Sequence, residues 1–228
     1  MAIERAANGP LRTVRSYVLR AGRITAAQSR ALVELWPRFG VENSAEPIDF
    51  PTLFGRDAPR SVEIGFGNGE LLVEMAGAAP DQDFLGIEVH EPGIGHCLLE
   101  IERRGLANVR LIRRDAVEVL HEQIPAASLA RVQLMFPDPW PKKRHHKRRI
   151  VQPGFLAQVA HVLRSGGEFH VATDWPPYAE HIAAALAGCT EFEPLTAGSP
   201  DRQPTRFERR GQRLGHPVWD GRFRLRYK

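Results

Sequence analysis

The sequence predicts an α/β fold: a mostly parallel sheet of seven strands with helices on both faces, behind an N-terminal extension. Short β-branched runs alternate with helical patterns from about residue 60 to the end, the signature of right-handed βαβ units. The first run turns into the first helix through a glycine-rich loop, Gly65-Phe66-Gly67-Asn68-Gly69, as open parallel sheets do at a ligand site. A length of 228 residues fits one principal core. The expected units are an extension over 1–50 and a domain over 51–228.

Along the extension, Ala26 to Trp36 forms a short amphipathic helix through Ala31, Leu32, Leu35 and Trp36. Pro37 and Gly40 close it, and Pro47 and Pro51 mark an extended linker. Residues up to about Pro10 are expected to be disordered. The segment reads equally as a flexible arm or a packing collar. In the domain, strands are expected at Ser61–Phe66, Asp83–Val89, Val109–Arg113, Leu129–Met135 and Glu168–Thr173. Helices are expected at Glu70–Ala79, Ile94–Arg104, Ala116–Gln123, Gly154–Leu163 and Tyr178–Ala187. Ser165-Gly166-Gly167 is read as a helix cap. The tail offers a strand at Glu191-Phe192-Glu193, a helix at Phe207–Leu214 and a strand at Gly221–Tyr227.

Composition narrows the function. No run has the apolar length of a membrane span and no signal sequence is evident. Cys97 and Cys189 make no C-x-x-C pair, so neither a disulfide framework nor a zinc site is expected and a cytoplasmic protein is. The net charge of +4 matters less than its clustering. Residues 142–149 hold six Lys/Arg, two His and no acid; residues 201–228 hold nine Lys/Arg against three acids. A single cluster reads as well as a solvated face as it does as a contact. Two clusters, one beside a candidate site, favour a polyanionic partner such as nucleic acid.

The glycine loop is followed by Glu70, where a dinucleotide fingerprint requires its third glycine. A carboxylate at that helix N-terminus opposes a pyrophosphate, so a nucleoside without phosphates fits better. Glu88, ending the second strand 19 residues after Gly69, is placed to accept both ribose hydroxyls. Asp115, ending the third strand, is placed for a base, though it also reads as a helix cap. Together they indicate S-adenosylmethionine in a Rossmann-like, class I methyltransferase.

After the fourth strand comes Phe136-Pro137-Asp138-Pro139-Trp140-Pro141-Lys142-Lys143-Arg144-His145-His146-Lys147-Arg148-Arg149. Its prolines stiffen the backbone around Asp138. Trp140 offers a stacking surface and the cations that follow can track phosphates; the bland reading is a rigid loop with a packed Trp and a solvated charge run. The position beside the expected donor favours function. His145 and His146 lack a carboxylate or cysteine partner, so no metal is expected.

This block resembles the signature of the tRNA guanine-N7 methyltransferases, the TrmB family. Glu63-Ile64-Gly65-Phe66-Gly67, Gly86-Ile87-Glu88-Val89-His90, Ala172-Thr173-Asp174-Trp175 and Thr205-Arg206-Phe207-Glu208 are similar to other motifs of that family. So are Arg15-Ser16-Tyr17-Val18-Leu19-Arg20 and Leu35-Trp36-Pro37-Arg38, so the likeness spans almost the whole chain from Arg15. The resemblance implies donor contacts at Glu63, Gly65, Gly67, Glu88, Asp115 and Asp138, with Asp138 also catalytic. It implies substrate contacts at Lys142, Asp174, Thr205, Arg206, Phe207 and Glu208. RNA contacts are implied at Arg144, His145, His146, Lys147, Arg148 and Arg149. The implied reaction is methylation of guanine N7 in the tRNA variable loop, usually guanine 46, by a monomer or homodimer with S-adenosylhomocysteine as product. Two rivals stand beside it: a nicotinamide dehydrogenase, disfavoured by Glu70, and an inert RNA-binding module, which has no use for acids at strand ends.

Overall fold

A computed structural model describes residues 15–18, 22–44, 46–195 and 217–227. The helix expected at Phe207–Leu214 and the disorder expected before Pro10 lie outside the described residues.

The elements run α1 (Ala26–Glu34), α2 (Trp36–Phe39), β1 (Gly40–Val41), α3 (Phe50–Phe54), β2 (Arg60–Ile64), α4 (Glu70–Ala78), β3 (Asp83–Glu88) and α5 (Glu91–Arg104). They continue with β4 (Val109–Arg113), α6 (Ala116–Glu122), β5 (Leu129–Met135), α7 (Pro153–Val162), β6 (Leu163–Thr173), α8 (Pro176–Ala187), β7 (Phe192–Pro194) and β8 (Trp219–Leu225). Among the described residues the sheet has eight strands in the order β1-β4-β3-β2-β5-β6-β8-β7, one more than the seven expected. The additional strand is β1, whose two residues pair in parallel with Leu111 and Ile112. Every pair from β1 across to β6 is parallel, and β8 pairs antiparallel with both β6 and β7. The strand order reverses between β2 and β5, and the carboxyl ends of those two strands therefore flank the crevice where such sheets bind ligands.

Each face of the sheet carries its own apolar layer. Val62, Ile64, Ile87, Val132 and Leu134 pack beneath α6, α7 and α8 with Leu120, Val159, Tyr178 and Ile182. Phe84, Val109 and Leu111 pack beneath α4 and α5 with Leu72, Ile94 and Leu98, and Ala31 of α1 closes that layer. Helix α1 begins in a capping box, Thr25 with Gln28, and crosses α5 at Gly95, where a Cβ would lie 2.8 Å from Gln28 Cβ. Helices α1 and α2 with β1 are thus packed as a collar against α5 and the β4 edge. Strand β6 starts at Leu163, so Ser165-Gly166-Gly167 forms an irregularity inside a strand, not the expected helix cap; Gly166 takes φ +72° and the pairing register with β5 shifts there. Among the described residues no helix is long and apolar enough to cross a membrane.

Candidate active site

Beyond the carboxyl ends of β2, β3 and β5 lies a cavity of about 570 Å³, lined by Glu63, Gly67, Glu88, Met135 and Asp138 among others. A second, of about 460 Å³, lies beside it past the end of β4 and is lined by Asp115, Arg113, Arg114 and Pro92. Tyr17 and His90 border both.

The floor is the glycine loop. Gly65, Gly67 and Gly69 all take positive φ, at +69°, +58° and +78°. A Cβ on Gly65 or Gly67 would meet nothing within 4 Å, whereas one on Gly69 would fall 2.3 Å from Cys97 Sγ. The first two therefore leave space for a ligand, and the third lets α5 pack under the loop. Burial, with the nearby Glu63 and Glu100 carboxylates, pushes the Cys97 thiol far above its ordinary range. Cys97 is a packing residue.

Glu88 is fixed by three backbone donors: Gly67 N–H to Oε2 at 2.9 Å, and Val89 and His90 N–H to Oε1 at 2.6 and 3.0 Å. Its carboxylate thus ties the glycine loop to the turn after β3 at the height expected for a ribose. Asp115 accepts from Val117 N–H at 2.9 Å and caps α6, and it also lines the smaller cavity. Burial raises its pKa, and the Val117 hydrogen bond offsets only part of that rise. Glu63 is buried in the middle of the sheet, in register with Gly86 on one side and Gln133 on the other.

Asp138 is exposed at the cleft wall. Its loop is strained on both sides, with Phe136 at φ +53° and Trp140 at φ +45°, each immediately before a proline. Asp174 is half-buried beyond the end of β6 and Lys142 is exposed. Thr205, Arg206, Phe207 and Glu208 lie outside the described residues. Lys143–Arg148 form a 3₁₀ helix with no buried residue, and Arg144, His145, His146, Lys147 and Arg148 all lie on it. The His145 pKa is lowered, by partial desolvation first and then by Arg144, Arg148, Lys142 and Lys147.

Two residues of this loop have surroundings the sequence does not suggest. Arg149 is 3% exposed and does not face solvent with the cations before it. Its Nε donates to Pro139 O at 3.0 Å and its Nη1 to Pro177 O at 3.3 Å, with Tyr178 beneath the guanidinium at 4.9 Å. The apolar neighbours Ile150 and Val151 draw it inward. Trp140 does not present an open ring, because the Arg148 guanidinium lies 4.2 Å over it and His145 meets it edge-on. Trp175 packs against the larger apolar layer, as a core residue would.

Residues 16–18 were not read as part of the site, yet Ser16, Tyr17 and Val18 line the larger cavity. They are held from the basic loop: the Trp140 indole N–H donates to Ser16 O at 3.0 Å and Arg148 Nε to Arg15 O at 3.1 Å. The only sequence signal was the run Arg15–Arg20, which carries no chemistry by itself.

The residues fit S-adenosylmethionine. Two neighbouring cavities share lining residues, Gly65 and Gly67 open the floor, and carboxylates suit a cationic ligand. Among the described residues no group of three or more His, Cys, Asp or Glu is placed to hold a metal.

A reversing parallel sheet with a glycine loop after β2 and acids at the ends of β3 and β4 defines a class I S-adenosylmethionine-dependent methyltransferase. The fold is similar to that of the antibiotic-resistance methyltransferase Kmr, with a TM-score of 0.58 at 18% identity over 82% of this chain and 95% of that one. It is also similar to the 16S rRNA methyltransferase KamB, with a TM-score of 0.56 at 17% identity over 83% and 99%. Residues 57–221 match the family model Methyltransf_4, described as "Putative methyltransferase". The tRNA (guanine-N(7)-)-methyltransferase of Alcanivorax borkumensis is 55% identical over 95% of this chain and 93% of its own. That of Escherichia coli K12 is 54% identical over 92% and 91%. The chain belongs to the tRNA (guanine-N(7)-)-methyltransferase family.

Proposed function

We propose that the chain methylates N7 of a guanine in the variable loop of tRNA, usually guanine 46, in the cytoplasm, as a monomer or homodimer. Bound S-adenosylmethionine supplies an electrophilic methyl on a sulfonium and leaves as S-adenosylhomocysteine. N7 of guanine is an acceptor with a free lone pair, so the site needs no strong base and its task is alignment. Glu88 is held rigidly enough to accept from ribose hydroxyls, and Asp115 from a base amine. Glu63, Gly65 and Gly67 shape the remainder of the donor site. Positive charge passes to the guanine ring as the methyl arrives, and Asp138 or Asp174 offsets it while accepting from the N1–H and N2–H₂ edge. Lys142 and the 3₁₀ helix beyond it hold the phosphates.

The observation that carries this reading is adjacency. Asp138 shares one cavity with Glu63, Gly67 and Glu88, and four residues later the chain emerges as an exposed run of cations. The test is incubation with methyl-labelled S-adenosylmethionine and unmodified tRNA, followed by strand scission at 7-methylguanine. Label confined to a variable-loop guanine is expected; label at another base or none would overturn the proposal. Asp138→Asn and Asp174→Asn keep size and remove charge, and at least one should lower kcat/KM for tRNA by about 10²–10³, with donor affinity little changed.

A further inference from the structure

The loop that carries Asp138 has an unusual hydrogen-bonding inventory. Pro137, Pro139 and Pro141 leave only Phe136, Asp138 and Trp140 with backbone N–H groups. Phe136 N–H is taken by Ala172 O at 2.8 Å. A segment so poor in donors has to be tied down through its carbonyls by donors from elsewhere. It is also strained, and residues at positive φ before proline persist only where the surroundings over-determine them.

Arg149 supplies what the loop lacks. Its guanidinium reaches Pro139 O, the carbonyl directly after Asp138, and with its other arm Pro177 O in the first turn of α8. Pro177 follows Asp174 by three residues. One side chain therefore spans the two carriers of the carboxylates assigned to the guanine, and the face of Tyr178, itself buried, fixes its plane. The arrangement is costly: burial lowers the Arg149 pKa, no carboxylate pairs with it among the described residues, and its Nη2 is buried without a partner there. A guanidinium buried against carbonyls alone is a poor device for stability.

We infer that Arg149 is a positioning residue for methyl transfer, setting the Asp138 loop against the start of α8, and does not itself contact RNA. This rests on the proposed function, because it presumes that Asp138 and Asp174 face the guanine. It separates Arg149 from Arg148, its neighbour in the same cationic run, which lies on the surface helix.

The test compares Arg149→Lys, which keeps the charge and stem but not the fork, with Arg149→Met, which keeps the length and removes the charge. Rates at saturating tRNA and donor, KM for tRNA, donor Kd, Tm and the salt slope of tRNA binding are measured for both. Both variants are expected to lose about 10- to 100-fold in kcat, as misplacement by an ångström does, with KM, donor Kd and salt slope close to the parent values. A shallower salt slope with kcat retained would make Arg149 an RNA contact and overturn the inference. So would unchanged kcat in both variants, or a loss of rate that merely follows a fall in Tm. If Arg149→Met does not fold, Arg149→Lys decides alone by the same readouts. Failure of the parent protein to methylate tRNA would overturn the proposed function and this inference with it; an active parent with undisturbed variants would overturn the inference only.

Discussion

Gly67 and Gly69 stand two residues apart in one loop and are required for different reasons. Both sit at positive φ, which costs an ordinary residue roughly 1–2 kcal/mol. For Gly67 that is the whole structural cost, since an added Cβ points into open cleft. For Gly69 the Cβ would collide with Cys97, a fully packed thiol, adding about 1–3 kcal/mol of overpacking. Chemical denaturation should therefore find Gly69→Ala much the less stable variant. Calorimetric titration with S-adenosylmethionine should find the larger loss of affinity in Gly67→Ala. If Gly67→Ala binds the donor as the parent does, the loop is not the floor of the donor site.

Asp115 caps α6, and in the proposed function it also accepts from the donor. Asn caps a helix about as well as Asp, so Asp115→Asn should keep α6 and shift stability by only about 0.5 kcal/mol. It removes the anion that would accept from a donor amine. The sign of the pH effect follows from burial. Because the folded pKa lies above the ordinary value for Asp, acidification protonates Asp115 sooner than an exposed Asp and weakens its acceptor role. Donor affinity should fall with decreasing pH from above the ordinary carboxylate range, and this arm of the profile should be absent in Asp115→Asn.

Among the elements, the antiparallel tail is fastened to the parallel sheet through Glu168 of β6. It accepts from Arg222 of β8 at 2.6 and 3.0 Å and from Arg131 of β5 at 3.5 Å. Desolvation alone would raise its pKa, but the Arg222 hydrogen bonds and the charges of Arg131 and Arg222 outweigh it, and the folded pKa is lowered. Its stabilisation is thus complete above the ordinary value for Glu and is lost as pH falls through the depressed folded value. Glu168→Gln should cost about 1–3 kcal/mol near neutrality, and the gap to the parent protein should narrow in acid. A gap that widened below the ordinary Glu range would reverse the assignment. The same scale shows what the sequence could convey. Val109–Arg113 is legible because an apolar run between turn signals has few alternatives. Two-residue β1 carries no periodicity, so only its pairing with β4 defines it. Helix α3 was read as linker because Pro51 suggested a break, although proline in the first turn of a helix presets φ and is compatible with its start. Glu88 and Asp115 were legible as strand-end acids, but the burial of Arg149 was hidden by the cations before it. It depends on carbonyls of Pro139 and Pro177, distant or silent in a sequence.

For the whole molecule the question is how a protein of net charge +4 holds a polyanion. Several of the described cations are neutralised at home: Arg38 pairs with Glu102, Arg56 with Asp83, Arg113 with Glu91, and Arg114 with Glu118 and Glu122. Lys142, Lys143, Arg144 and Lys147 are exposed and have no ion pair among the described residues. Counterion release should come chiefly from them, because a cation already paired with a carboxylate releases little. Each phosphate contact contributes about 0.7–0.9 to the slope of log K against log salt. Lys143→Ala with Arg144→Ala should therefore flatten the slope for tRNA by about 1.4–1.8, while donor affinity stays unchanged. Arg38→Ala removes the same type of charge from a pair on the α2–α5 side and should leave the slope where it was. Equal flattening by both substitutions would mean that tRNA responds to the total charge of the protein and that the 3₁₀ helix is not its docking face.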